Sequence, residues 1–250
     1  MEYIKKEKLN NAPIKEVMIA FAFDNIFKSS DDIKSFYDKS ELKNIFAKQE
    51  ETKALSIYLN NDTEITRDVL NGIKFNSADE KKELFIELDR AFYIDKNKYT
   101  GFEDFIKGFY DILKCFFDEY EKIHIKELAL RYVNVFNLQS DKLSNEFYIY
   151  PCISLQNNCE NFATMSNHLS VFNIQNINCA EIFATIKVAF YPINTNNLLN
   201  TVFDIDTHML KEYTFNNIEE TKEYILKLKN FENEIFFSNF KNVYEIKEFN

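Results

Sequence analysis

Glycine and proline are scarce: the chain of 250 residues holds three of each. Glycine supplies positive φ in tight turns and lets backbone approach a phosphate closely. With only Gly72, Gly101 and Gly108, neither G-x-G-x-x-G nor G-x-x-x-x-G-K-S/T occurs. That excludes Rossmann, P-loop and kinase-type nucleotide cradles. Tryptophan is absent, and of the 30 basic residues only Arg67, Arg90 and Arg131 are arginine. Acidic residues number 40, so the formal net charge is −10. Non-specific nucleic-acid binding depends on basic surface and counterion release, and this balance argues against it. The one basic block, Lys5-Lys6-Glu7-Lys8, is short and interrupted.

Long apolar runs are also missing. No stretch approaches the roughly 18–20 residues of a membrane span, and Met1–Asn11 is polar, without a signal-peptide core. The expected location is the cytoplasm, with no membrane partner. The four cysteines (Cys115, Cys152, Cys159, Cys179) are then expected as reduced thiols. Cys152 and Cys159 are spaced more widely than the roughly two to four residues of a zinc knuckle. His124, His168 and His208 are scattered, and no H-x-x-x-H, H-E-x-x-H or G-x-S-x-G pattern exists. No metal, no cofactor and no catalytic residue is expected.

Aromatic residues are abundant: 26 Phe and 14 Tyr, within a hydrophobic share of 46%. Such rings serve either as core or, if exposed, as a stacking surface. Their spacing favours core. Phe102, Phe105, Phe109, Ile112, Phe116 and Tyr120 recur at three- and four-residue steps, one broad stripe of a helix. A helix over about 218–237 turns Ile218, Ile225, Leu228, Phe231 and Ile235 inward. Ser29-Ser30-Asp31-Asp32 is a helix start, with one or two helices over 31–48. Alternation predicts strands at Ile14–Phe23, Leu84–Tyr93, Ile123–Phe136, Leu169–Ile174, Glu181–Tyr191 and Thr201–Ile205. Shorter strands are read at Ser56–Leu59, from Gly72 to a turn at Asp79-Glu80-Lys81, at Phe147–Tyr150 and at Val243–Phe249. Residues 60–71 are ambiguous.

One arrangement recurs. Phe85-Ile86-Glu87-Leu88-Asp89, then Tyr99-Thr100, precedes a helix closing on Phe116-Phe117. Phe203-Asp204-Ile205-Asp206, then Tyr213-Thr214, precedes a helix closing on Phe236-Phe237. The expected fold is α+β with two related halves, mostly antiparallel sheet with one long packing helix per half. The halves are 1–137 and 169–250, joined by an Asn-, Ser- and Gln-rich linker at 138–168, or merged into one continuous domain.

Asn11-Ala12-Pro13-Ile14-Lys15-Glu16 and Arg131-Tyr132-Val133-Asn134 together resemble a sporadically distributed bacterial family of about 250 residues. Its members carry an N-terminal A-P-I-x-E, a central R-Y-x-N, then a D-x-D (here Asp204-Ile205-Asp206) and a long helix. The resemblance spans nearly the whole chain. It brings no particular reaction with it. The family's patchy distribution implies an accessory role, such as a defence or mobile-element component.

Arg131 is the leading candidate site residue. A guanidinium on a half-buried strand needs a carboxylate or an anionic ligand. It either pairs with Glu16, Asp89 or Glu127 to fix the sheet, or binds an anion. Asn134 is expected to order a turn through its amide. Asp89 and Asp206, at equivalent places in the repeat, either finish strand ends or act as a carboxylate pair. Two functions follow. The first is a non-catalytic binding or assembly protein, partnered by another protein or by its own copies. The alternative is an enzyme or nucleotide- or anion-binding protein, its site between the halves using Arg131 with Asp89 or Asp206.

Overall fold

The computed structural model describes residues 12–24, 26–60, 63–96, 101–139, 168–193 and 198–239. Its strands are β1 (Ile14–Phe23), β2 (Lys48–Asn60), β3 (Thr63–Asn76), β4 (Lys82–Ile86), β5 (Arg90–Asp95), β6 (Ile123–Gln139), β7 (His168–Gln175), β8 (Ile182–Ile193) and β9 (Leu198–Phe215). Its helices are α1 (Ser30–Lys39), α2 (Leu42–Ile45), α3 (Phe102–Glu119) and α4 (Ile218–Ser238). The readings at 147–150 and 243–249, and nearly all of the linker, lie outside the described residues.

The described strands form one sheet in the order β2-β3-β4-β5-β1-β6-β9-β8-β7. Pairing is antiparallel from β2 to β5 and from β7 to β9. The central strands follow suit. Val135 N–H donates to the Pro13 carbonyl at 2.8 Å, and Asp24 N–H to that of His124 at 3.3 Å. The start of β1 therefore meets the end of β6, and the reverse. The fold is α+β on a large antiparallel sheet, as expected.

The chain falls into two compact units. One takes Met18–Leu128 and Lys211–Thr221; the other takes Met1–Val17, Ala129–Leu210 and Lys222–Asn250. In the first, the aromatic stripe of α3 is interior. Phe105 and Phe109 are buried, and Phe116 has no exposure. The Phe116 ring lies 4.7 Å from that of Phe36 and 5.1 Å from that of Phe21. Burying each such ring stabilises by roughly 1.5–3 kcal/mol. Gly101 opens α3 at φ 145, a backbone angle side chains resist. Ser29 caps α1, accepting from Asp32 N–H while Asp32 accepts from Ser29 N–H, so two free amides are satisfied reciprocally.

Two strand readings need correction. The stretch Leu84–Tyr93 is not one strand: it reverses, so that Ile86 pairs with Ala91 and Glu87 N–H bonds the Arg90 carbonyl at 2.8 Å. The turn contains no Gly, Pro or Asn, and Asp89 accepts from Arg90 Nε at 3.1 Å. The short strand at Ser56–Leu59 is the second half of the longer β2, which pairs with β3 across the ambiguous 60–71.

Candidate functional site

In the unit carrying most of β6 to β9, strand alternation sorts side chains onto two faces. Tyr132, Asn134 and Phe136 of β6 are buried, as are Phe203, Ile205, Thr207 and Met209 of β9. α4 covers that face: the Phe236 ring lies tilted 6.2 Å from that of Phe203, and Lys229 Nζ sits 3.8 Å above the Tyr132 ring. Arg131, Val133 and Val135 point to the other face and are half-buried.

On that second face Arg131 and Asp204 form a two-pronged pair. Nε and Nη2 each donate to one carboxylate oxygen at 2.8 Å. The Asp204 side chain is 6% exposed and that of Arg131 31%. Those hydrogen bonds, then the charges of Asp204, Asp206 and Glu16, hold the guanidinium more firmly protonated than usual. The fork geometry matches carboxylate planarity, which is why arginine rather than lysine suits it. Asp206 turns instead to His208, whose Nε2 lies 3.3 Å away.

The structure thus gathers three of the sequence candidates, Arg131, Asp206 and Glu16, around a residue not chosen as the partner, Asp204. Asp89 is elsewhere, exposed in the β4–β5 turn and held by Arg90 through Nε and Nη2. The expected pairing of Arg131 with Glu16, Asp89 or Glu127 is replaced by the pair with Asp204, because β9 lies beside β6 in the sheet. Asn134 orders no turn. It sits mid-strand, 1% exposed, donating to the Phe203 carbonyl at 3.0 Å. Its Oδ1 is buried with no hydrogen-bond partner. Thr207 mirrors the cross-strand role by donating to the Leu130 carbonyl at 2.8 Å.

Sequence reading missed a buried ion pair. Lys229 and Glu232 of α4 bond each other with side chains 5% and 4% exposed. Burial draws the Lys229 ammonium below its ordinary pKa, against the pull of Glu232. Ile225, Lys229, Glu232 and Phe236 step by four, three and four along α4. That spacing puts the two charges inside the apolar stripe, a legible clue.

Among the described residues, no group of three His, Cys, Asp or Glu is placed to hold a metal ion. Cys115 is buried in α3 and its Sγ donates to the Asp111 carbonyl at 3.3 Å. No described helix is long and apolar enough to cross a membrane. No family model and no curated protein matches the chain.

Proposed function

We propose that the chain is a non-catalytic binding or assembly protein of an accessory bacterial system, defence-like or mobile-element in character, working in the cytoplasm. The observation that supports it is how the scarcest cation is used. Arg131 spends two donors on a carboxylate of its own sheet, with Asp206 and Glu16 adding negative charge beside it. Such a pair fixes β6 against β9, which is scaffold work. The resemblance carried by Ala12–Glu16 and Arg131–Asn134 points to the same accessory role. A native mass measurement tests the proposal. An oligomer, or a defined complex with a protein encoded beside it, is expected; a lone monomer under both conditions would sink it.

The two-halves reading belongs to this proposal. Its support is the order of the sheet: β1 neighbours β5, which precedes α3, and β6 neighbours β9, which precedes α4. On that order the second half starts at Ile123 of β6 rather than at residue 169. Asp89 and Asp206 do not correspond within it, one lying in a turn and the other mid-strand.

A second reading keeps Arg131 as an anion or nucleotide contact, because its side chain retains 31% exposure beside Asp204. A thermal-shift screen with nucleotides and divalent metals decides. Flat, identical responses from the wild type and Arg131→Ala remove that reading.

A further inference from the structure

The two ends of the sheet are defended differently. Among the described strands β2 and β7 are outermost, and an outer strand offers unpaired N–H and C=O groups to other chains. Natural sheets blunt such edges with charge, above all lysine. β2 does so: it begins Lys48-Gln49-Glu50-Glu51, all exposed, with Lys53 following. β7 does not. From Asn161 to Ala180 there is no Asp, Glu, Lys or Arg, although 28% of the chain is charged.

The open face of β7 carries no charge of its own: it begins with Leu169 and Val171 and continues with the exposed amides Asn173 and Gln175. Leu169 is 65% exposed and Val171 52%. Tyr191 of the adjacent β8, on the same face by alternation, is 42% exposed. β7 pairs along its whole length with β8, from His168 opposite Phe190 to Gln175 opposite Phe183. Its inner edge is therefore held in strand geometry, and among the described residues no strand pairs with its outer edge.

Resting on the assembly reading above, we infer that β7 is a self-association edge: its occupant is β7 of a second copy, antiparallel, continuing the sheet across a two-fold axis. Charge selects this occupant. Each copy carries −10, so two copies repel at most places where they meet. The uncharged β7 segment is where that repulsion is least, and two-fold antiparallel pairing about Ser170 sets Leu169 opposite Val171 of the second copy, and the reverse. A basic partner would be drawn to the acidic surface elsewhere and gains nothing from an uncharged strand.

Sedimentation equilibrium of the full chain over a dilution series tests this, comparing wild type, Val171→Lys and Glu50→Lys. The wild type is expected to reach twice the 29.8 kDa chain mass. Val171→Lys brings two like charges together beside the axis and should weaken the dimer by about tenfold or more, with the circular dichroism spectrum of the chain unchanged. Glu50→Lys, at the opposite edge, should dimerise as the wild type does. Amide exchange at 169–175 should slow as concentration rises. A dimer indifferent to Val171→Lys overturns the β7 inference and leaves the assembly reading standing. A wild-type monomer that forms a complex with another protein does the same. A monomer with no partner overturns both.

Discussion

Gly108 of α3 lies directly under the hydroxyl of Tyr93 in β5. A Cβ built at Gly108 would stand 2.5 Å from that oxygen and 3.2 Å from the ring carbon bearing it. The Tyr93 hydroxyl is buried and has no hydrogen-bond partner. A glycine in the middle of a helix normally costs about 1 kcal/mol against alanine, so Gly108→Ala would be expected to stabilise. Here it should destabilise by about 1–3 kcal/mol through overpacking. Tyr93→Phe removes the 2.5 Å contact and the unsatisfied oxygen, leaving the 3.2 Å contact with the ring carbon, and alone should be neutral or mildly stabilising. In the double variant most of the alanine penalty should disappear. Urea unfolding of the four proteins, read as a double-mutant cycle, checks this; additive effects would contradict it.

Removing one end of the Arg131–Asp204 pair should not be symmetrical. Arg131→Ala leaves a carboxylate stranded where only 6% of its side chain meets water. Asp204→Asn leaves a guanidinium that still reaches solvent and an amide that still accepts one bond. The first should cost about 3 kcal/mol and the second about 1–2 kcal/mol. Equal losses in chemical denaturation would mean that the burial of Asp204 is not what sets the energy.

Lys229 and Glu232 should behave as a unit. Lys229→Met leaves Glu232 charged and buried, at a cost of about 3–5 kcal/mol. Replacing both with methionine removes two desolvated charges and should return stability to within about 1 kcal/mol of wild type. If the double variant is as unstable as the single, the pair is contributing something beyond charge balance, such as the ammonium contact with the Tyr132 ring.

Glu87 gives a pH signature. Burial raises its pKa above 4.5, Arg90 opposes that, and Asp89 adds to it. The folded chain thus keeps a proton that the unfolded chain has released. Its contribution to stability is full below pH 4.5 and is lost as pH rises through the folded value. Glu87→Gln should flatten that stretch of the stability–pH curve. Parallel curves for the two proteins would refute the assignment.

What could be read from the residues depended on whether local pattern or distant pairing set the structure. The α3 stripe was legible because Phe102, Phe105, Phe109 and Phe116 carry the helical period themselves, and β1 because its alternation is uninterrupted. The turn at Leu88-Asp89 was hidden because the alternation of Phe85, Glu87 and Asp89 runs straight through it with no glycine or proline to mark it. The reversal rests instead on the Glu87–Arg90 backbone bond. Arg131 was recognisable as a group needing a carboxylate. Its partner was not, since Asp204 lies 73 positions away and only the register of β9 along β6, with Phe203 beside Asn134 and Thr207 beside Leu130, selects it over Asp206 or Glu16. Asn134 misled for the same reason: its amide serves a neighbouring strand, not a turn of its own.

Strands β1, β6 and β9 each begin in one compact unit and end in the other. One unit needs Lys211–Thr221 to be complete, and the other needs residues from Lys222 onward. A ribosome releasing this chain therefore cannot finish the early part and then start on the late part. Both must wait for the C-terminal stretch to emerge, and no single cut in the gene would yield either one whole.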